Sequence, residues 1–299
     1  MEKFTEFLGI EFMSRGAMVQ GERRYFDVGH LRRPEQEDFI AAGGFRTVMQ
    51  SLERQRGVHS APLFVSYYTP ATPYEALADQ LRRSLDRHGL EHRIEPITSL
   101  GSWVANTGLK ASFIERAWQE SDRPICWVDA DAELLRAPQF LYGNPFDFAL
   151  VRRHGWYFMS GLVYFGKNTV AGELVARWAM LCRQYPHVWD QVLLTLAWYQ
   201  VAQRHPVNTM YLPDGIFRFP RPFLRDLRDR VFFYPTGRKM RPFFDQKQAS
   251  RAHKRFIDAS AKRADEKGSD DLSADFRQSL IDYDFERTFG IETLFNSSA

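Results

Sequence analysis

Apolar and polar positions along the first half of the chain alternate between strand-like runs and helix-like stripes. Ala61 to Tyr68 is a run rich in β-formers and reads as a buried strand. The turn residues Thr69-Pro70-Ala71-Thr72-Pro73 follow, and Thr72 with Pro73 supplies an N-cap and a first helical residue. Tyr74 to His88 is therefore predicted to be an amphipathic helix, stopped by Gly89. Arg93 to Ile97 reads as a second strand, Trp103 to Glu120 as a second helix, and Ile125 to Val128 as a third strand. Strand, helix, strand, helix, strand is the pattern of a doubly wound half-sheet, which predicts an α/β fold with a Rossmann-like nucleotide-binding half.

The pattern continues with strands at Phe146 to Val151 and Tyr157 to Phe165, helices at Thr169 to Tyr185 and Trp189 to Gln203, and strands at Val207 to Leu212 and Val231 to Tyr234. Upstream, Pro34-Glu35-Gln36-Glu37-Asp38 looks like a helix start with acids in its first turn, and that helix is predicted to run to Arg54. Three parts follow from this reading: a helical extension over residues 1–58, a main domain over 59–244, and a basic, partly flexible segment with a terminal helix (Phe276 to Phe289) over 245–299. Asp265-Glu266-Lys267-Gly268-Ser269-Asp270 is the expected flexible link.

The chemistry begins where the third strand ends. Asp129 and Asp131 follow Val128 directly, and in open α/β sheets ligands bind beyond the carboxyl ends of strands. Two carboxylates placed there repel each other unless a cation lies between or beside them. Mg²⁺ and Mn²⁺ are hard cations that take carboxylate oxygens and often bridge to phosphates. The pair therefore points to a metal–diphosphate site, whereas an isolated Asp-x-Asp in a loop would need nothing beyond turn formation.

Composition changes this picture only a little. Of 299 residues, 44% are hydrophobic and 15% aromatic, enough for a substantial core and suited to stacking on flat rings or sugars. The net charge of +3 is too mild to imply nucleic acid, although Arg and Lys crowd between Arg218 and Arg263, which would suit phosphates or an acidic acceptor. The two cysteines, Cys126 and Cys182, have no metal-ligand spacing and suggest no disulfide. Acidic residues interrupt the opening apolar stretch, so no signal peptide is read there, and no apolar run reaches the roughly 18 residues of a membrane span. A cytoplasmic protein of bacterial or viral kind is the expectation.

Two further motifs follow in order. Ser160-Gly161-Leu162-Val163-Tyr164-Phe165-Gly166 comes about thirty residues after the aspartates, and Trp189-Asp190-Gln191-Val192-Leu193-Leu194 about thirty after that. From Ala61 to Tyr234 this order resembles the GT-A glycosyltransferases, in particular the retaining, galactosyltransferase-like nucleotide-diphospho-sugar transferases. The resemblance implies a GT-A-like mixed, mostly parallel central sheet flanked by helices. It implies a nucleoside-diphosphate sugar donor, with uridine the commoner base, and Mn²⁺ or Mg²⁺ held by Asp129 and Asp131, Asp129 also serving the ribose. Ser160 and Gly161 would line the sugar pocket, and Asp190 and Gln191 would meet sugar hydroxyls and the reacting face. Tyr67, Tyr68 and Thr69 would hold base and ribose. Side chains alternate along a strand, so only one of the two tyrosines can face the pocket. Asn106 and Lys110, at i and i+4 on one helix face, would reach the diphosphate.

The chain departs from that family at the third metal ligand, for which many relatives supply a His after the last strand. No His lies between His205 and His253. Three arrangements remain open: aspartates, phosphates and water alone; His253 folding back; or Arg238 and Lys239 neutralising the diphosphate in place of metal. If the enzyme retains configuration, the departing phosphate takes the acceptor's proton and no side-chain base is required; if it inverts, Asp190 is the base candidate. A bacterial glycan or a modified base of phage DNA is the expected acceptor. The rival outside the enzymes is a degenerate GT-A domain that binds glycan or nucleic acid without turnover.

Overall fold

The computed structural model describes residues 38–40, 46–48, 60–144, 146–152, 158–186, 188–202, 204–205, 207, 209–212, 217–218, 242–247, 249, 253 and 256. Its first elements correct the sequence reading. Where a helix was expected between Pro34 and Arg54, two strands lie antiparallel, β1 (Asp38–Ile40) and β2 (Arg46–Val48), with Asp38 opposite Val48. Gly43 and Gly44 fall between them, and each glycine costs a helix interior about 1 kcal/mol relative to Ala. β2 also gains a tertiary partner, since Thr47 pairs with Thr209 of a later strand. Acids after a proline can start a helix, but here a sheet edge competes for the same backbone groups.

The next run matches the prediction closely. β3 (Leu63–Tyr68) leads to helix α1 (Pro73–Asp86), capped by the Thr72 hydroxyl, which accepts from the Tyr74 N–H. Gly89 ends that turn with φ +63°, a backbone angle that side-chain-bearing residues rarely adopt. β4 (His92–Pro96) follows, then α2 (Trp103–Glu120), whose Ser102 cap accepts from the Ala105 N–H, then β5 (Ile125–Val128), buried along its whole length. A short strand with no local signature, β6 (Ala132–Leu134), comes straight after the aspartates. β7 (Phe148–Arg152), β8 (Phe158–Phe165), α3 (Thr169–Gln184), α4 (Asp190–Ala202), β9 (Thr209–Leu212), β10 (Phe217–Arg218) and β11 (Phe244–Gln246) complete the described elements. The expected strand at 231–234 and the expected terminal helix lie outside the described residues.

Eight strands form one mixed sheet in the order β1-β2-β9-β7-β8-β5-β3-β4. The pairings β3–β4, β3–β5, β7–β9 and β2–β9 are parallel; β8 runs antiparallel to both β5 and β7. The sheet is thus the mixed α/β arrangement that the sequence suggested. A second, three-stranded sheet, β10-β11-β6, sets β11 antiparallel to β6. It joins residues 244–246 to the segment just past the aspartates, so the division placed between 244 and 245 falls inside a strand.

Strand alternation makes two cores, one per face. Val65, Trp127, Leu150 and Phe165 pack under α2, α3 and α4 with Phe113, Trp178 and Trp198, whereas Phe64, Cys126, Ala149 and Tyr164 face the other way with Leu81 of α1 and with Phe217 and Phe244. Each fully buried large side chain contributes about 1.5–3 kcal/mol relative to exposure. Burial on both faces explains why β5 reads as an unbroken apolar run.

Helices α2 and α3 meet closely at Gly172. A Cβ built there would lie 2.5 Å from the Trp118 ring, which is itself fixed by its Nε1–H donating to the Gly166 carbonyl at 2.8 Å. Helix propensity alone favours Gly172→Ala by about 1 kcal/mol, whereas overpacking costs about 1–3 kcal/mol. The packing cost should win, so the urea midpoint of Gly172→Ala is expected to fall; a rise would show that Trp118 moves freely.

Candidate active site

β3 and β5 run parallel as neighbours, so Thr69 and Asp129 leave the sheet at the same edge. At that edge the chain brings together side chains from four elements. Asp129 follows β5. Its backbone N–H donates to the Gly161 carbonyl at 2.9 Å, and its Oδ1 accepts from the Trp127 indole N–H at 2.8 Å. Lys110 enters from α2. Its Nζ lies 3.1 Å from Asp129 Oδ1 and 2.9 Å from Asp190 Oδ2, and it donates to Ser160 Oγ at 2.9 Å and to the Ser160 carbonyl at 3.2 Å. The ammonium also sits 5.4 Å from the centre of the Trp127 ring.

Lys110 is buried, only 5% exposed. Burial alone would lower its pKa, but the carboxylates of Asp129 and Asp190 outweigh burial and raise it above the ordinary lysine value. The lysine is therefore a permanent cation bridging the end of β5 and the start of α4. Asp190, also buried, opens α4 with its carboxylate at a helix N-terminus, where negative charge is favoured. Its backbone carbonyl accepts from Trp178 Nε1–H at 2.9 Å, which ties this turn to α3.

Asp131 is buried, in the turn that the Ala132 N–H closes on the Asp129 carbonyl at 2.9 Å. Its Oδ2 accepts from the Ala249 N–H at 2.7 Å, and its Oδ1 from Gln246 Nε2 at 3.3 Å. Gln246 Nε2 also donates to Asp129 Oδ2 at 3.1 Å, so one amide bridges both aspartates. Burial, and then the neighbouring Asp129 charge, push the Asp131 pKa up to about 6. Gly161 shapes the same spot: a Cβ there would lie 3.1 Å from Asp129 Oδ2 and 3.2 Å from the Phe217 ring.

The structure thus gathers Lys110, Asp129, Ser160 and Asp190 into one cluster, with Gly161 against Asp129 and Asp131 joined through Gln246. Gln191 stands next along α4, half-buried, and its carbonyl accepts from the Thr195 hydroxyl. The remaining candidates lie around the cluster. Tyr67 packs its ring on Phe113 and Trp127 and donates its hydroxyl to the Asn106 carbonyl at 2.5 Å. Burial, then the charges of Asp190 and Asp129, raise its pKa well above the usual tyrosine value. Tyr67 is thereby committed beneath α2, and alternation turns Tyr68 to the opposite face. Thr69 is buried, with its Oγ1 3.1 Å from Thr72 Oγ1, in the turn that starts α1. Asn106 spends its side chain on the loop before α2: Oδ1 accepts from the Leu100 N–H at 2.7 Å, and Nδ2 donates to Ser99 Oγ at 2.9 Å.

His253 packs its ring near Tyr74 and Phe256, with centroid distances of 6.2 and 5.9 Å. Among the described residues no three His, Cys, Asp or Glu side chains gather closely enough to hold an ion, so His253 is not grouped with the two aspartates. Arg238 and Lys239 lie outside the described residues. Asp129 and Asp131 fit a hard divalent cation by donor chemistry: both offer carboxylate oxygens at one point of the sheet edge. Gln246 escaped the sequence reading because it sits 115 residues from Asp131, with no local signal beyond two preceding phenylalanines.

No family model matches the chain, and no curated protein matches its sequence. Several solved structures resemble it. A glycosyltransferase involved in glycosylation of the major capsid of PBCV-1 aligns at 15% identity and a TM-score of 0.47, covering 63% of this chain and 93% of that one. The glycosyltransferase GlyE of Streptococcus pneumoniae TIGR4 aligns at 14% identity and 0.41, covering 76% and 65%. Mouse xyloside xylosyltransferase 1 aligns at 11% and 0.41, covering 64% and 99%. At these identities and scores the likeness carries no weight of its own, and the chemistry must be read from the side chains. No helix among the described residues is long and apolar enough to cross a membrane.

Removing the cation should expose the cost of the cluster. Lys110→Met leaves the buried Asp190 and the half-buried Asp129 without their partner, and breaking a buried pair costs about 3–5 kcal/mol. Chemical unfolding of Lys110→Met should show a loss of that order, and adding Asp190→Asn to it should recover part of the loss. A cost near zero for the single variant would mean that the ammonium is not held between the two acids.

Proposed function

We propose that this protein is a glycosyltransferase that moves a sugar from a nucleoside-diphosphate sugar, a UDP-sugar in the first instance, to an acceptor hydroxyl. The observation that carries the reading is the buried Lys110 bridge. It joins Asp129, Ser160 and Asp190, one residue from each of the three motifs that set the sequence resemblance, at the carboxyl edge of the sheet. Three carboxylates (Asp129, Asp131, Asp190) against one ammonium leave the cluster negative, which matches a divalent cation and a substrate that brings its own phosphates.

In this reading Asp129 and Asp131 hold Mn²⁺ or Mg²⁺, which supplies Lewis-acid stabilisation of the leaving diphosphate. Lys110 fixes the orientation of Asp129 and Asp190 together, so that a carboxylate for the metal and a carboxylate for the sugar keep a set separation. Gly161 lets Asp129 and the Phe217 ring close on the strand, 3.1 and 3.2 Å from where a Cβ would stand, so its small size serves the placement of Asp129. Asp190 and Gln191 face the reacting sugar, and Tyr68 and Thr69 border the nucleoside, Tyr67 being taken up under α2. Transfer is read as retaining, with the acceptor hydroxyl attacking from the side the diphosphate leaves and giving its proton to that phosphate. The acceptor is a bacterial glycan or a modified base in phage DNA.

The test is release of UDP from a panel of UDP-sugars with Mn²⁺, with EDTA, and in Asp131→Ala. Release from one sugar, abolished by EDTA and by Asp131→Ala, is expected. Release that survives EDTA would remove the metal from the reading, and a folded protein that releases no nucleoside diphosphate from any donor, with glycan or DNA acceptors supplied, would leave a binding domain. Gly161→Ala should keep the fold yet lower turnover about tenfold or more, because its Cβ crowds Asp129; unchanged turnover would show that the position of Asp129 is not critical.

A further inference from the structure

The side-chain amide of Gln246 donates to both aspartates of the Asp-x-Asp pair. The residue is 8% exposed, and its position is set by backbone pairing rather than by its own side chain. Gln246 sits opposite Ala132 in the β11–β6 ladder, the Lys247 N–H donates to the Asp131 carbonyl at 3.0 Å, and the Ala249 N–H donates to Asp131 Oδ2 at 2.7 Å. The chain therefore delivers this amide to the two carboxylates, where its Nε2 donates to Asp129 Oδ2 and Asp131 Oδ1.

An amide donor bridging two carboxylates stands where a cation shared by them would stand, and the two compete for the same lone pairs. The NH₂ must leave when the cation arrives. A glutamine carries its carbonyl oxygen on the other arm of the same planar group, so half a turn about Cγ–Cδ replaces a donor by an acceptor at equal reach. Amide oxygens are ordinary ligands for hard divalent cations. We infer that Gln246 is the third protein ligand of the cation held by Asp129 and Asp131: its NH₂ holds the two acids together without metal, and its Oε1 binds the metal once it is present. This rests on the metal-dependent reading above. A neutral third ligand adds no charge, so the cation is held loosely by the protein alone and more firmly once a diphosphate adds oxygens.

Titration calorimetry of the full chain with Mn²⁺ tests this, using wild type, Asp131→Asn, Gln246→Met and Gln246→His. Wild type should bind one Mn²⁺, Asp131→Asn should abolish binding, and Gln246→Met should weaken it about tenfold or more. Gln246→His places a nitrogen at the ligand position, so its Mn²⁺ complex should show directly coupled nitrogen in pulsed electron paramagnetic resonance, which wild type lacks. Should Gln246→Met fail to fold, the nitrogen coupling decides alone. Wild-type affinity in a folded Gln246→Met, or no nitrogen coupling in Gln246→His, overturns the role of Gln246 while leaving the metal reading intact if Asp131→Asn still abolishes binding. No Mn²⁺ binding by wild type, with or without UDP in the calorimeter cell, overturns both.

Discussion

A single ammonium, buried between acids contributed by distant parts of the chain, is the constraint on which the candidate site depends. Lys110 projects from the middle of α2, and its partners stand at the end of β5, on β8 and at the start of α4. Desolvating an ion costs several kcal/mol, and the attraction of its partners only offsets that cost when the geometry is good. The cluster is thus weak evidence for stability and stronger evidence for a fixed arrangement. Any shift of α2 along the sheet would strand at least one buried charge, so the helix has one acceptable position.

The two cores supply the rigidity that this arrangement needs. Helices α2, α3 and α4 cover one face of the sheet, while α1 and the small second sheet contribute to the other. The bridge lies where the helical layer meets the carboxyl edge of β5. Trp127 links the two regimes: its ring packs with Tyr67 and Phe113, its indole N–H holds Asp129, and its face lies beside the Lys110 ammonium. One side chain is thereby both core and site support. Tyr67 shows the same double use, with its ring in the core and its hydroxyl on the α2 backbone.

Much of this was legible in the sequence, for local reasons. β5 and α2 were read at their observed ends because an apolar run and a capped stripe carry their own boundaries, and the motifs around Asp129, Ser160 and Asp190 follow strand and helix starts that the pattern marks. What was missed depends on partners far along the chain. β1 and β2 look like a helix start until β9 offers an edge, and β6 is too short, with Glu133 at its centre, to announce a strand before β11 pairs with it. Asn106 shares a helix face with Lys110, as spacing requires, yet its amide is taken up by Ser99 and Leu100, a competition that spacing cannot reveal. The choice between Tyr67 and Tyr68 was a matter of strand register, which only the packed sheet resolves.

The late arrival of Gln246 also sets an order of assembly. Asp131 waits 115 residues for that side chain and 118 for the Ala249 N–H. On a ribosome that interval is on the order of ten seconds of synthesis. During it, β3, β4, β5 and α2 can already pair while the acidic edge lacks its closing strand. Such long-range closure is slow by topology, so the nascent chain holds a half-built, acidic edge until the segment from Phe244 to Ala249 reaches it.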